Sequence, residues 1–129
     1  MFSYSRVILE NKEEKILLQL RKKYSIQGGK WSLFGGRIQF NESKEEALKR
    51  ELREELGIEI KNPNYLFKFY SYGVFPQHIF YAPFKSTNFS VQEGEKAVFF
   101  SREGTKRLKF ALQLNKALEK FFRSKKQSI

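Results

Sequence analysis

Glu51, Glu54 and Glu55 stand at i, i+3 and i+4, a spacing that on a helix sets three carboxylates on one face. Such a set of hard oxygen donors suits Mg²⁺ or Mn²⁺. Ala47 lies on the same face one turn earlier and is small enough to leave room above the acids. Like charges at this spacing repel by roughly 0.2–0.5 kcal/mol per pair when exposed, and more when partly buried. Arg50, one turn from Glu46 and from Glu54, offsets part of that repulsion but cannot neutralise three carboxylates. On an isolated helix the run would be a solvated charged face. Here Phe34-Gly35-Gly36 precedes it, read as a tight turn whose bare backbone can approach a ligand closely.

The element that must carry these acids announces its own ends. Ser43 followed three residues later by Glu46 is a capping-box pattern, and Gly57 after Leu56 suits a left-handed C-cap. Good helix formers without proline or glycine fill the interval, which predicts a helix over Ser43–Leu56. Leu48, Leu52 and Leu56 then form one apolar stripe for the core.

These residues carry a family resemblance. Gly36, five residues, Glu42, seven residues, Arg50-Glu51-Leu52, one residue, Glu54-Glu55, one residue, Gly57-Ile58 resembles a complete Nudix box spanning 36–58. Nine specified positions at fixed spacing make a specific signal. One departure is Phe34, where many members have proline before the glycine pair. The resemblance implies an α/β fold, an α/β/α sandwich with a mixed sheet between helices, over a single domain of 1–129. Periodicity by itself supports only α/β or α+β.

The resemblance also implies a chemistry: metal-dependent cleavage of a nucleoside diphosphate linked to another group, most like the MutT-like members that act on nucleoside triphosphates. Alternatives are a nucleotide-sugar or other dinucleotide-type hydrolase, and a Nudix-fold module that binds nucleotide or RNA without turnover. Retention of three acids disfavours that module. By resemblance, Glu51, Glu54 and Glu55 ligate Mg²⁺ or Mn²⁺, with the Gly35 carbonyl as a further ligand, and Arg50 orients the carboxylates. Glu42 supports the ligands from behind or is an additional ligand. Glu51, or an acid outside the box, is the general base, and Glu93 and Glu95 occupy a loop that supplies such an acid in relatives. Arg21 and Lys30 are candidate phosphate contacts, with Gly36 and Arg37 beside them in the substrate-binding set.

Bulk properties bound the rest. The 129 residues are enough for one domain with a real core, and 40% hydrophobic with 30% charged residues indicates a folded chain. The absence of cysteine excludes disulfides, thiolate nucleophiles and zinc–thiolate sites, and fits a cytoplasmic location. The first residues lack the apolar run of a signal peptide, and no stretch reaches membrane-spanning length. A net charge of +11 favours anionic partners, whether nucleotide, polyphosphate or RNA, and also serves plain solubility. His78 is the only histidine and has no nearby nucleophile to form a triad.

Along the chain, strands are predicted at Phe2–Glu10 and Lys15–Arg21 around a turn at Asn11–Glu14, with a loop over Tyr24–Lys30. Trp31–Phe34 enters the glycine turn and a short strand, Arg37–Phe40, leaves it; Trp31 is read as a core or rim aromatic before a base-stacking one. Further strands follow at Ile58–Ile60, Leu66–Val74, Gln77–Phe84 and Ala97–Ser101, with a loop over Ser86–Glu95. A helix over Lys106–Arg123 and a loosely ordered tail, Ser124–Ile129, complete the chain.

Overall fold

The computed structural model describes residues 2–25, 27–85 and 89–127. Its strands are β1 (Tyr4–Glu10), β2 (Ile16–Leu20), β3 (Trp31–Ser32), β4 (Phe34–Arg37), β5 (Asn64–Ser71), β6 (Phe75–Pro83) and β7 (Lys96–Phe100). The helices are α1 (Lys44–Leu56), the short α2 (Arg102–Thr105) and α3 (Leu114–Gln127), the last preceded by a 3₁₀ turn at Ala111–Gln113. The sheet runs β3-β2-β1-β6-β5, with β4 also pairing β1 and β7 pairing β2. The β1–β6 ladder is parallel and the other pairings are antiparallel, so the sheet is mixed.

Period-two alternation in β1 and β2 divides the core between the two faces of the sheet. Val7, Leu9, Leu17, Phe34 and Phe80 pack against Leu48, Leu52 and Leu56 of α1. Ile8, Ile16, Leu18 and Ile79 pack against Leu114, Ala117, Leu118 and Phe121 of α3. This is the helix–sheet–helix sandwich that the resemblance implies. Each fully buried leucine of the α1 stripe contributes about 1.5–3 kcal/mol of burial free energy, which presses the acidic face of the helix toward β4.

Several boundaries differ from expectation. Phe34-Gly35-Gly36-Arg37 is itself a strand, β4, and no strand continues to Phe40. Gly35 sits at φ +135 directly over β1, where any Cβ would collide with the Ser5 carbonyl oxygen. Gly35 therefore serves the close approach of β4 to β1. Ile58 and Ile60 form no strand but pack as loop residues against the α1-side core. Strand β5 stops at Ser71 because Tyr72 and Gly73, at φ 55 and 72, turn the chain into β6.

The C-terminal helix is broken. Trp31 N–H donates to the Lys109 carbonyl at 2.9 Å, and the Ser71 hydroxyl donates to the Leu112 carbonyl at 2.5 Å. Tyr72 N–H donates to Gln113 Oε1 at 2.6 Å, and Leu112 and Gln113 sit at φ 54 and 57. The sheet claims groups that a continuous helix would need, so α3 starts only at Leu114. It then runs past Arg123 to Gln127, and Lys125 Nζ meets Glu10 at 2.6 Å and Glu14 at 3.4 Å. Ser128 and Ile129 of the expected tail, and Ser86–Asn88 of the expected loop, lie outside the described residues. No described helix is long and apolar enough to cross a membrane.

Candidate active site

Helix α1 is capped as its sequence dictates. Ser43 Oγ accepts from Glu46 N–H at 3.0 Å, and Glu46 Oε1 accepts from Ser43 N–H at 2.8 Å. Gly57 adopts φ 65 and returns its N–H to the Arg53 carbonyl. The Ser5 hydroxyl donates to the Lys44 carbonyl at 2.7 Å, pinning the start of the helix to β1. With both ends and the leucine stripe fixed, Arg50, Glu51 and Glu55 meet the glycine strand, and Glu54 joins them through Arg50.

Arg50 organises that meeting. Its Nε and Nη2 donate to Glu42 at 2.7 and 3.0 Å, and Nη2 also donates to the Arg37 carbonyl at 2.9 Å. Its Nη1 donates to Glu51 Oε1 at 2.9 Å and reaches Glu54 Oε2 at 3.3 Å. The fork geometry of a guanidinium permits this and an ammonium would not. Glu46 is occupied by the capping box, so Arg50 turns to Glu42 instead. The hydrogen bond from Arg50 holds the Glu42 carboxyl below the usual carboxylate range, and the Gln39 N–H bond adds to it. Glu42 braces the guanidinium.

Gly36 lies beneath Glu51, and a Cβ there would strike the Glu51 carboxylate. Burial raises the Glu51 pKa against the opposing pull of Arg50, with Glu54 and Glu93 pushing the same way as burial. Glu54 keeps 47% of its side chain exposed.

Glu55 is the deepest acid. Its Oε2 accepts from Gln19 Nε2 at 2.8 Å and its Oε1 from Gly35 N–H at 2.8 Å. Burial pushes its pKa up to about 7, while Gln19, Gly35 and the Arg6 charge work against the rise. Arg6 is itself buried, donating to the Gly35 carbonyl at 3.2 Å and to Gln77 Oε1 at 3.1 Å. Burial lowers its pKa and the Glu55 charge raises it.

The three acids of the helix do not gather about one point, and among the described residues no three acidic or histidine side chains form a ready-made coordination sphere. Unbalanced like charges separate and take the nearest donors: Glu51 and Glu54 share Arg50 Nη1, and Glu55 takes Gln19 and Gly35 N–H. The donor set nonetheless fits a hard divalent cation, because all of it is carboxylate oxygen and two members already converge on one positive centre. The Gly35 carbonyl, the further ligand of the sequence reading, is occupied by Arg6.

Of the outlying candidates, Arg21 and Glu93 join Gln19, Lys22, Glu55 and Gly94 around a cavity of about 150 Å³. Glu95 is exposed, outside that lining, and gives its N–H to the Leu20 carbonyl, so Glu93 is the acid nearer the site. Lys30 is absent from the lining and bonds Gln27 Oε1 at 3.3 Å. Arg37 stacks on Phe2 at 4.3 Å, and its contribution to the acid cluster is its carbonyl. Trp31 meets Phe100 edge-on at 4.8 Å as a core-rim aromatic. Sequence reading passed over Gln19 and Arg6; the available signal was a polar residue at a core-facing position of an apolar strand.

A family model described as NUDIX domain matches residues 4–121 of this arrangement. The chain belongs to the NUDIX family. Nudix hydrolases generally use divalent metal ions. The Nudix chain is similar to CTP pyrophosphohydrolase of Escherichia coli, 52% identical over 48 residues, which is 37% of this chain and 36% of that protein. It is also similar to 8-oxo-dGTP diphosphatase of Proteus vulgaris, 38% identical over 53 residues, 41% of this chain and 47% of that one. Both matches thus span under half of the relative's length. Over nearly the full chain it resembles the E. coli ORF135 protein in solution, with TM-score 0.70, 31% identity, and 92% and 91% of the two chains covered.

Proposed function

We propose that this Nudix chain is a divalent-metal-dependent pyrophosphohydrolase acting on a nucleoside triphosphate. The observation that carries the reading is Glu51 and Glu54 held about a single guanidinium nitrogen, Arg50 Nη1, with Glu55 buried beside a cavity rimmed by Arg21 and Lys22. The names of the two sequence relatives, both nucleoside triphosphate enzymes, point the same way. Glu51, Glu54 and Glu55 would hold Mg²⁺ or Mn²⁺. Such an ion, when bound, offsets phosphate charge and lowers the pKa of a bound water.

The protein groups then have separable tasks. Arg50 fixes the two outer carboxylates through its own anchorage on Glu42 and the Arg37 carbonyl. Arg21 and Lys22 supply positive charge to phosphate oxygens entering the cavity. Glu51, set against Gly36, and Glu93, on the cavity rim, are the acids placed to take up a proton. A cysteine-free enzyme of this type fits the cytoplasm.

A panel of nucleoside triphosphates and nucleotide sugars with Mg²⁺ or Mn²⁺, assayed for phosphate and pyrophosphate release, tests the proposal. Release by the wild type, its loss in Glu54→Gln, and retained nucleotide binding by that variant support it. The net charge of +11 favours a second reading, a nucleotide- or RNA-binding module without turnover. No release from any member of the panel moves the balance to that module.

A further inference from the structure

Helix α1 packs chiefly on β4 and β1, and the sheet continues beyond it through β6 to β5, its edge strand among the described residues. The register pairs Tyr65 with Phe80, Lys68 with His78, and Tyr70 with Pro76. Phe80 belongs to the α1-side core, so all of these residues share the α1 side of the sheet. Tyr65 and Tyr70 are 40% and 48% exposed there, and Tyr72 in the following turn is 50% exposed.

This strip is both aromatic and cationic. Lys44 Nζ lies 5.2 Å from the centre of the Tyr65 ring, and Lys68 Nζ lies 5.4 Å from the centre of the Tyr70 ring. Tyr65 Oη lies 3.0 Å from His78 Nδ1, which fixes the tilt of its ring. After burial, the charges of Lys44 and Lys68 are what hold the His78 pKa down, with Glu45 opposing. Two lysines against one glutamate, Glu45, which pairs with Lys44 at 3.6 Å, leave the spot with a net positive charge.

We propose that the strip binds single-stranded nucleic acid, with Tyr65 and Tyr70 as stacking surfaces and Lys44 and Lys68 as phosphate contacts. An unpaired base offers a π-face that replaces the ammonium on the ring, and the displaced lysine turns to the adjoining phosphate. A duplex hides its base faces and gains only the charge. A second copy of this chain is a poorer occupant, because edge pairing would bring the strip's lysines against their own kind on a protein of charge +11.

The test is fluorescence anisotropy of a labelled single-stranded oligouridylate, or its deoxy counterpart, titrated with the full chain across a salt series. Binding of either oligomer, weakened about tenfold or more in the Tyr65→Ala/Tyr70→Ala variant, is expected. Lys68→Ser should flatten the slope of log K against log salt by about 0.7. Tyr70→Ala alone, at an exposed site, guards against misfolding of the double variant and should weaken binding in the same direction. Nucleoside triphosphate turnover should stay unchanged in all three, so the fate of this strip and that of the proposed enzyme are read separately. No binding, equal binding by the tyrosine variants, equal affinity for a duplex, or a sedimenting dimer dissolved by Tyr70→Ala overturns the proposal.

Discussion

Gln19 Nε2 donates to Glu55 Oε2 at 2.8 Å, joining the penultimate residue of β2 to the buried acid of α1 across 36 residues of sequence. The amide offsets part of the cost of burying a carboxylate, which otherwise has only Gly35 N–H and the distant Arg6 charge. Replacing Gln19 by leucine leaves that oxygen without its donor. Gln19→Leu should lose about 1–3 kcal/mol of stability at neutral pH. Urea denaturation in the presence of a chelator measures it, and an unchanged midpoint would mean that water takes over the amide's place.

The pH dependence of stability should carry the signature of Glu55. Its folded pKa, about 7, lies above the ordinary value of 4.5, so the folded state binds the proton more tightly than the unfolded chain. The resulting stabilisation is full below pH 4.5, falls as pH rises, and is gone above pH 7. Its span is on the order of 3 kcal/mol. Glu55→Gln cannot titrate and should lack this fall. Subtracting variant from wild-type urea stabilities in chelator, at several pH values across the window, isolates the contribution. A flat difference curve counts against a raised Glu55.

The two neighbouring glycines should fail in different ways when given a methyl group. At Gly35, φ +135 and the Ser5 carbonyl oxygen forbid a Cβ, so Gly35→Ala should destabilise the fold by several kcal/mol (about 3 or more). At Gly36 the obstacle is the movable end of Glu51, so Gly36→Ala should fold and yet displace that carboxylate. A shift of about 1 Å in a catalytic group can cost ~100-fold in rate. Thermal melts and turnover on the same two proteins separate the cases. Full activity in Gly36→Ala would remove Glu51 from the chemistry.

What the sequence discloses is what neighbouring residues decide. Ser43, Glu46 and Gly57 interact within a turn or so of themselves, and Leu48, Leu52 and Leu56 need only helical geometry, so α1 was readable to its ends. The break at Leu112–Gln113 was not, because its causes are Ser71 and Tyr72, each 41 residues away in the chain. The acids show the same division. Their spacing places them on one side of a helix, whereas the split between Arg50 and Gln19 depends on partners brought in by β2 and by the 37–42 segment. Gln19 and Arg6 stood in apolar strands with nothing local to name their partners.

Arg50 makes the most demanding test of the site, because its role depends on shape as well as charge. Lysine at this position keeps the positive charge but has one nitrogen, and cannot reach Glu42, Glu51, Glu54 and the Arg37 carbonyl together. With Glu42 unbraced and the Glu51–Glu54 pair loosened, turnover in Arg50→Lys should fall about 100-fold by misplacement of the carboxylates. The salt bridges lost are partly exposed, and the cost in stability should stay near 1 kcal/mol. If the carboxylates act through a divalent cation, the variant should also need more Mg²⁺ for half-maximal activity, and chelator should abolish turnover in both proteins. Wild-type kcat at wild-type Mg²⁺ demand in Arg50→Lys would show that charge alone suffices and that the fork is incidental.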